Sequence, residues 1–447
     1  MGKITFLAKT LGCRVNQAET KQIADKLFSL GYHPFQGHGN PDIILVNTCV
    51  VTQKGERESA KIIRQLKKKY PNSFLIAAGC AANLWLKINK ARKNQLPPAD
   101  LFITNEKKMT IPKIIAGHFP PPSTIFGPIS KPAKEDHSFR SFIKIQDGCD
   151  RFCTYCLIPY LRTKLVSQKP RLVIKKINST HRKGIQEAIL CGINLSLYGQ
   201  DLNPPQNFLS LIESILNKTA IPRLSLGSLT PEIINQKLID IFINDQKNNQ
   251  RLSTYWHLAL QSASPTVLSR MNRKTDLKKL KKSLQYIKEA LPFLTLRADV
   301  IIGFPQETDQ EFEQTLNFIK ETGISFGHLF PYSPRPKTTA EKMTKSGLWP
   351  EISLSVKKSR RQKLDRVIKD NKQKQAQNLI NSTRKILILK ETDWGWWGLS
   401  DNYWPVNIID REKNPKRTLL GEISPTKITG FKDDILMGDL VGSNQAS

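Results

Sequence analysis

One ten-residue stretch of the chain reads Asp147-Gly148-Cys149-Asp150-Arg151-Phe152-Cys153-Thr154-Tyr155-Cys156 and directly follows an apolar segment of strand type. It places three thiols in the spacing C-x3-C-x2-C. Structural zinc sites prefer four protein ligands, usually from two separated C-x2-C pairs, and no fourth Cys or His lies close to this stretch. A [4Fe–4S] cluster held by three thiolates instead keeps one iron open for a substrate. The spacing therefore favours an iron–sulfur cluster over zinc.

The chain after this stretch alternates strand-type and helix-type segments. Helical spacing is clearest at residues 207–217, 277–289 and 310–322. Parallel βα units in series are typical of TIM-like barrels, whose chemistry lies on the loops after the strands. We therefore predict a partial (β/α)6 TIM-like barrel. Its six predicted strands are residues 139–145, 187–192, 223–226, 257–261, 296–302 and 325–330.

The N-terminal part of the chain repeats a simpler unit, in which an apolar run of strand type leads to a cysteine and then to a helix-like stretch. Three such runs lead in turn to Cys13, Cys49 and Cys80. Strands that alternate with helices predict a parallel sheet, and parallel strands present their carboxyl ends on one edge. We therefore expect the three cysteines to converge at that edge. The predicted strands are residues 4–10, 42–46, 74–78 and 101–104, and the predicted helices are residues 19–30 and 56–70.

Changes in composition divide the chain into predicted domains. A proline-rich stretch over residues 119–136 is typical of a linker. From about residue 382, short β-type runs separated by turn residues predict a small β-barrel, a common nucleic-acid-binding format. The expected class is α/β throughout the first two domains. We predict an N-terminal α/β domain over 1–118, a linker over 119–136, a central barrel domain over 137–375 and a C-terminal β-barrel over 376–447.

The charge of the chain points to a polyanionic partner. With 69 Lys and Arg against 38 Asp and Glu, the formal net charge is +31. A field of this sign favours binding of nucleic acid, and no amphipathic anchor accompanies it that would favour a membrane surface. No apolar run approaches the length of a membrane-spanning helix. We therefore expect a cytoplasmic, monomeric protein that binds nucleic acid and no membrane.

The seventh cysteine stands apart from the other six. Seven cysteines in a chain of this character argue for metal binding or catalysis rather than a disulfide scaffold. Cys191 lies inside a predicted strand, where a small buried hydrophobe is the expected role. The remaining six form two triads.

Both triads carry a resemblance to a known family. The C-x3-C-x2-C motif resembles the radical S-adenosylmethionine (SAM) superfamily, in which it binds a cluster whose open iron chelates SAM. Cys13, Cys49 and Cys80 resemble the cysteines of the methylthiotransferase family, whose N-terminal domain holds a second [4Fe–4S] cluster. The resemblance extends over nearly the whole chain, and the C-terminal barrel resembles an RNA-binding TRAM domain. The remaining family motifs are similar to residues 148–160, 303–305, 331–336 and 398–403 of this chain.

The resemblance implies two [4Fe–4S] clusters and SAM as cofactors. The cluster at Cys149, Cys153 and Cys156 would reductively cleave SAM to a 5′-deoxyadenosyl radical that abstracts hydrogen from an adenine C2. Sulfur would arrive from the second cluster, methylated by a second SAM. It also implies an electron donor of the flavodoxin or ferredoxin type. Radical chemistry of this kind belongs to the cofactors, and the protein places them and excludes side reactions.

Four further residues are predicted cofactor contacts. Asn194 lies at a strand end where it would face SAM, and Gly303 belongs to a stretch that resembles the superfamily's adenine-contacting strand. Glu187, by family analogy, would meet the SAM amino group, with a surface position as the alternative. Arg162 is predicted, like Arg297, to contact a carboxylate or phosphate, with a surface or packing role as the alternative. We assign no role to the lone His257, since a histidine at the start of an apolar strand is usually a satisfied core residue.

The residues around the N-terminal cysteines resemble one branch of the family. Residues 10–17 (TLGCRVNQ) and 47–52 (NTCVVT) look like the branch that acts on N6-threonylcarbamoyladenosine at position 37 of the tRNA anticodon loop. Alternatives are the branch that acts on isopentenyladenosine 37 and the branch that acts on a ribosomal-protein aspartate. An alternative of another class is a non-catalytic RNA-binding iron–sulfur protein. Two triads without a fourth ligand argue against that, because structural sites are normally closed.

Overall fold

A computed structural model describes residues 3–88, 96–121, 139–409 and 418–441. From residue 122 onward, the predicted linker lies outside the described residues. The chain forms two compact units. The first contains residues 1–135, 147–165 and 333–341, and the second contains residues 136–146, 166–332 and 342–447. None of the helices in the described part is long and apolar enough to cross a membrane.

The first unit is built on a parallel sheet, as predicted, but the sheet has five strands where four were predicted, because the short strand at His33–Pro34 was not foreseen. The strand order is β2-β1-β3-β4-β5, and every pairing is parallel. All six residues of β3 are buried, because helices cover both faces of the sheet. The strands are β1 (Thr5–Thr10), β2 (His33–Pro34), β3 (Ile43–Thr48), β4 (Phe74–Gly79) and β5 (Leu101–Ile103).

Two apolar cores lie on the two faces of this sheet. Alternate residues of β3 divide between them: Ile43 packs in one cluster with Ile23 and Ile111, and Ile44 packs in the other with Ile63. The first helix begins at Arg14, earlier than predicted, because Cys13 occupies its N-cap position. The helices are α1 (Arg14–Ser29), α2 (Gln53–Lys69), α3 (Cys80–Ile88), α4 (Ile111–His118) and α5 (Ile158–Leu161), with a 3-10 turn at Lys108–Thr110.

The second unit contains the predicted partial barrel. Its strands form two parallel sheets of order β10-β9-β6 and β11-β12-β13-β14. Only Gly227 separates β10 from β11, so six strand positions follow one another around the barrel. The strands are β6 (Arg140–Lys144), β9 (Glu187–Cys191), β10 (Arg223–Leu226), β11 (Ser228–Leu229), β12 (Tyr255–Gln261), β13 (Thr295–Ile302) and β14 (Phe326–Pro331), with short strands β7 (Gln146–Asp147) and β8 (Val166–Ser167).

Helices pack on the convex face of this sheet through one large apolar core. Leu258, Ala298, Val300 and Leu329 of β12–β14 belong to that core, so the residues that alternate with them face the barrel interior. The helix bounds agree closely with the three predicted segments. The helices are α6 (Pro170–His181), α7 (Phe208–Lys218), α8 (Gln236–Asn248), α9 (Pro265–Arg270), α10 (Leu277–Ala290) and α11 (Asp309–Thr322), with 3-10 turns at Leu195–Leu197 and Pro231–Ile233.

The C-terminal part of the second unit is a small closed β-barrel, as predicted. Its strand order is β15-β16-β17-β19-β18. Trp404 is fully buried in its core, together with Ala376 and Leu379 from the last turns of a long helix. The elements are α12 (Thr339–Lys345), α13 (Leu354–Leu379), β15 (Thr383–Thr392), β16 (Gly395–Ser400), β17 (Pro405–Ile409), β18 (Ile423–Lys432) and β19 (Ile435–Leu440).

Candidate active site

The first unit brings Cys13, Cys49 and Cys80 together at the carboxyl edge of its sheet. Cys49 directly follows β3, Cys80 follows β4 as the first residue of α3, and Cys13 caps α1 after β1. Cys49 and Cys80 are buried, whereas Cys13 reaches solvent. The predicted convergence of the three cysteines is thus observed, because the three parallel strands that precede them end on one edge of the sheet.

Glycine 12 sets how closely two of these cysteines approach. Its φ is +88°, and a Cβ at this position would lie 2.5 Å from the Cys49 Sγ. The backbone N–H of Cys49 donates to the Ser59 hydroxyl at 3.0 Å, which fixes this residue after the strand. Only glycine combines this backbone conformation with room for the thiol.

The environment of this triad suits a cation with thiolate ligands. Desolvation first, and the neighbouring Cys13 and Cys80 in addition, raise the pKa of the Cys49 thiol to about 11. Desolvation first, and the Cys80 thiol in addition, likewise raise the pKa of Cys13, although part of this residue is exposed to solvent. Such thiols become thiolates when a metal binds them. The donor set therefore fits an iron–sulfur cluster with an open side at Cys13.

Arg162 is the main electrostatic partner of this triad. Its Nε donates to the Cys80 Sγ at 3.4 Å. One terminal nitrogen donates to Glu19 at 2.9 Å and to Asp147 at 2.8 Å, and the other donates to Glu19 and Asn16 at 3.0 Å. All five N–H groups of the guanidinium thus have protein acceptors.

These bonds correct the prediction for Arg162. The residue is only 4% exposed, so the surface alternative is wrong. No donor is left for SAM or a phosphate, so the predicted cofactor contact is replaced by a positioning role at Cys80. Glu19 and Lys108, which forms a buried 2.6 Å ion pair with Glu19, complete the network. Neither was predicted, because a charged residue in a helix or turn carries no sequence signal of burial.

The second triad lies on the loop between β7 and α5. Cys149, Cys153 and Cys156 are all half-buried and form no disulfide. The Cys156 N–H donates to the Cys153 carbonyl at 2.9 Å, and the Ile158 N–H donates to the Cys156 Sγ at 3.4 Å. Three accessible thiols on one tight loop, with a backbone donor aimed at a sulfur, fit a [4Fe–4S] cluster with one open iron.

A glycine also fixes the start of this loop. Gly148 has a φ of +77°, and a Cβ there would lie 2.0 Å from the Lys164 carbonyl oxygen. The Asp147 carboxylate accepts from the Gly148 N–H at 2.8 Å and from Arg162. The Asp147 carboxylate therefore accepts both from Gly148, the neighbour of Cys149, and from Arg162, which contacts Cys80. Both triads belong to the same compact unit.

The second unit places two of the predicted SAM contacts at the carboxyl ends of strands. Asn194 follows β9, where its N–H donates to the Gln146 side chain at 2.9 Å and its Oδ1 accepts from Ser196. Gly303 follows β13 with a φ of +67°, and its N–H donates to Glu307 at 2.9 Å. Ligands of such barrels bind at these ends. Contacts of Asn194 and Gly303 with SAM stay predictions.

Glu187 is not at that edge. It begins β9 at the amino end, is fully buried, and accepts from Arg140 at 2.7 Å, from the Ser225 hydroxyl at 2.7 Å and from Tyr403. Burial opposes ionisation, yet Arg140 and Arg223 hold the pKa of Glu187 below its usual value. Both the predicted SAM contact and the surface alternative are therefore wrong, because the Glu187 carboxylate is buried and hydrogen-bonded at the amino end of the strands, opposite the end where ligands bind.

The sequence matches known proteins over nearly its whole length. Residues 5–102 match the uncharacterized protein family UPF0004, and residues 143–319 match the radical SAM superfamily. The threonylcarbamoyladenosine tRNA methylthiotransferase MtaB of Aquifex aeolicus is 30% identical over 416 residues, which cover 90% of this chain and 95% of that protein. The chain belongs to the radical SAM methylthiotransferase family.

Members of more than one branch of this family are similar to the chain. The MtaB of Bacillus subtilis is 30% identical over 95% of this chain and 93% of its own length. The tRNA-2-methylthio-N(6)-dimethylallyladenosine synthase of Bacillus pumilus is 29% identical over 98% of this chain and 86% of its own length. The chain is thus a radical SAM transferase, and similarity alone does not select its substrate.

The fold has a counterpart among solved structures. The radical SAM methyltransferase TsrM of Kitasatospora setae, solved with cobalamin and a [4Fe–4S] cluster, aligns over 77% of this chain and 78% of its own, with a TM-score of 0.53 and 12% identity. This likeness concerns the fold. Membership of the radical SAM superfamily implies one [4Fe–4S] cluster and SAM, and the Cys149 loop is the part of the chain whose donors fit that cluster.

Proposed function

We propose that this protein transfers a methylthio group to C2 of N6-threonylcarbamoyladenosine at position 37 of tRNA. The observation that supports this most directly is a second cysteine triad, distant in sequence from the radical SAM triad. Cys13, Cys49 and Cys80 converge beside the buried Arg162. A radical SAM enzyme that only abstracted hydrogen would need one cluster. A second triad with an open side supplies a place from which sulfur can be delivered.

The proposal gives each triad its own task. When bound, the two [4Fe–4S] clusters and SAM supply the hydrogen-abstracting radical chemistry and the sulfur. Cys149, Cys153 and Cys156 hold the first cluster on a half-exposed loop, which leaves one side open to SAM. Cys49 and Cys80 hold the second from below the protein surface, and Cys13 holds it from the open side. Arg162 places a fixed positive charge against the Cys80 sulfur, which stabilises a thiolate there.

The residues that favour the threonylcarbamoyladenosine branch support the N-terminal triad. Asn16 donates to the Leu11 carbonyl at 2.9 Å and to the Thr48 carbonyl at 3.0 Å, and Asn47 donates to the Asn16 carbonyl at 3.0 Å. These amides tie the loop of Cys13 to the strand end before Cys49. The isopentenyladenosine and ribosomal-protein branches are the alternatives within the same chemistry.

We further propose tRNA as the partner, with the C-terminal barrel as an RNA-binding module of TRAM type. The net charge of +31 supports a nucleic-acid substrate over a protein one. Position 37 lies in a single-stranded loop, where bases are accessible for recognition. The proposal also includes a flavodoxin- or ferredoxin-type electron donor, a monomeric enzyme and a cytoplasmic location.

The proposal is tested with variants in which one cysteine at a time is replaced. Each variant is reconstituted anaerobically and incubated with SAM, a reductant and tRNA. Cys153→Ala is expected to abolish 5′-deoxyadenosine formation. Cys49→Ala is expected to retain 5′-deoxyadenosine formation and to yield no methylthio product. Cys191→Ala is the matched control, because Cys191 is a buried cysteine outside both triads, and it is expected to retain both products. A wild-type protein that does not turn over SAM would favour a non-catalytic RNA-binding protein. Methylthio formation by Cys49→Ala would overturn the role of the second triad.

A further inference from the structure

Four polar residues lie together on the interior side of the partial barrel. His257 of β12, Arg297 and Asp299 of β13, and His328 of β14 alternate along their strands with core residues that face the helices. Strand pairing puts His257 opposite Arg297 and Asp299 opposite His328. Since β14 is an edge strand of its sheet, this cluster lies at the open side of the barrel.

Hydrogen bonds order the four side chains into one network. The Asp299 Oδ1 accepts from the His257 Nε2 at 2.8 Å and from the His328 Nδ1 at 3.1 Å. The Arg297 guanidinium contacts the other ring nitrogen of His328. His257 was expected to be a core residue without a role, and it is instead the inner member of this network, 12% exposed against 46% for His328.

Within this network the Asp299 carboxylate is engaged by the two histidines, whereas the Arg297 guanidinium forms no ion pair with a carboxylate of the described residues. Burial alone would raise the pKa of Asp299, but the hydrogen bonds and charges of His257 and His328 outweigh it and hold that pKa well below its usual range. Asp299 is therefore a fixed anion that orients both imidazoles. Arg297 pairs with no carboxylate among the described residues, and its buried Nε has no acceptor there. A half-buried guanidinium of this kind lacks an anion.

The two candidate tRNA substrates differ in one respect that matters here. The threonyl group of N6-threonylcarbamoyladenosine carries a carboxylate, whereas the isopentenyl group is apolar. An arginine beside oriented imidazoles is suited to a carboxylate, through charge-assisted hydrogen bonds. Phe330, two residues along the same face of β14, has its ring centroid 5.7 Å from that of His328 and offers an aromatic surface for the attached base.

We propose that Arg297, positioned by His328 and through it by Asp299 and His257, binds the carboxylate of the threonylcarbamoyl group and so selects this adenosine, an inference that rests on the proposed function. Three of these four side chains, His257, Asp299 and His328, could also bind a divalent metal ion. The guanidinium of Arg297 argues against this, because it places a permanent positive charge against one of the three ligands.

The test pairs a protein change with a substrate change. Wild-type and Arg297→Gln full-length enzymes, anaerobically reconstituted, are assayed on anticodon stem-loops with threonylcarbamoyladenosine, with its neutral threoninamide analogue, and with isopentenyladenosine. Wild type is expected to lose about 10- to 100-fold in kcat/KM on the amide, the range of a charge-assisted hydrogen bond. Arg297→Gln is expected to treat acid and amide alike. Lys278→Gln, which removes an exposed charge from α10, is the matched control and is expected to keep the wild-type ratio.

The outcomes separate this inference from the function on which it rests. Wild-type activity on the isopentenyl loop alone would refute the proposed substrate. Wild-type activity on the threonylcarbamoyl loop with no preference for acid over amide would leave the function standing and overturn the role of Arg297. Stoichiometric zinc that is lost in His328→Ala, together with an unchanged acid-to-amide ratio in Arg297→Gln, would also overturn it and assign the cluster to a metal.

Discussion

At the scale of single residues, Arg162 links the Cys80 thiol to the buried acids around it. It neutralises Glu19 and Asp147 and donates to Cys80 while almost fully buried. Arg162→Gln is therefore expected to lower the free energy of unfolding by about 3 kcal/mol, because removing one partner leaves buried charge uncompensated. Anaerobic urea unfolding measures this loss. Arg171→Gln, at an exposed position of α6, serves as control, and equal stability of the two variants would contradict the account.

Gly12 provides a second residue-scale prediction, with an internal control. Gly12→Ala and Gly37→Ala both add a side chain at a φ near +90°, but only at Gly12 would the new Cβ meet the Cys49 thiol, and nothing lies within 4 Å at Gly37. Both variants carry backbone strain of about 1 kcal/mol. Only Gly12→Ala is expected to lose iron, from about eight to about four atoms per chain for two [4Fe–4S] clusters. Iron and sulfide analysis measures it, and equal iron in both variants would contradict the placement of Cys49.

At the scale of elements, the amino ends of the barrel strands are held by ionic contacts around Glu187. Its pKa is lowered in the folded state, so its contribution to stability is present above its unfolded pKa of about 4.3 and is lost as the pH falls below that value. Glu187→Gln is expected to be destabilised at pH 7 and to approach wild type toward pH 3. Urea unfolding at both pH values, with the exposed Glu289→Gln as control, tests this. A difference that grew toward acid pH would refute the assignment.

The same scale shows what the sequence can and cannot predict. The strands and the six cysteines follow from local patterns, because an apolar run, a glycine and a ligand type are each read within a few residues. The Arg162–Glu19 pair joins positions 143 apart, and Tyr403 reaches Glu187 across 216 positions. Such contacts depend on how elements pack, which no local pattern records. For that reason Arg162 and Glu187 were given cofactor roles that their buried partners exclude.

At the scale of the whole molecule, the net charge predicts how the proposed binding of tRNA depends on salt concentration. A formal charge of +31 predicts that log Kd rises linearly with log salt, with a slope of about 0.7 to 0.9 for each phosphate neutralised. Six such contacts would weaken binding roughly 10³-fold between 50 and 200 mM salt. Filter binding or fluorescence anisotropy at several salt concentrations measures the slope. An affinity independent of salt would contradict a phosphate-based interface.

The most direct test of the central claim is mass spectrometry of the tRNA nucleosides from cells with and without this gene. The 2-methylthio form of N6-threonylcarbamoyladenosine is expected to disappear from the deletion strain while its unmethylthiolated precursor accumulates, and a plasmid copy of the gene is expected to restore the modification. Loss of the isopentenyl counterpart instead would contradict the proposed substrate, and an unchanged level of both methylthio nucleosides would contradict a tRNA methylthiotransferase altogether.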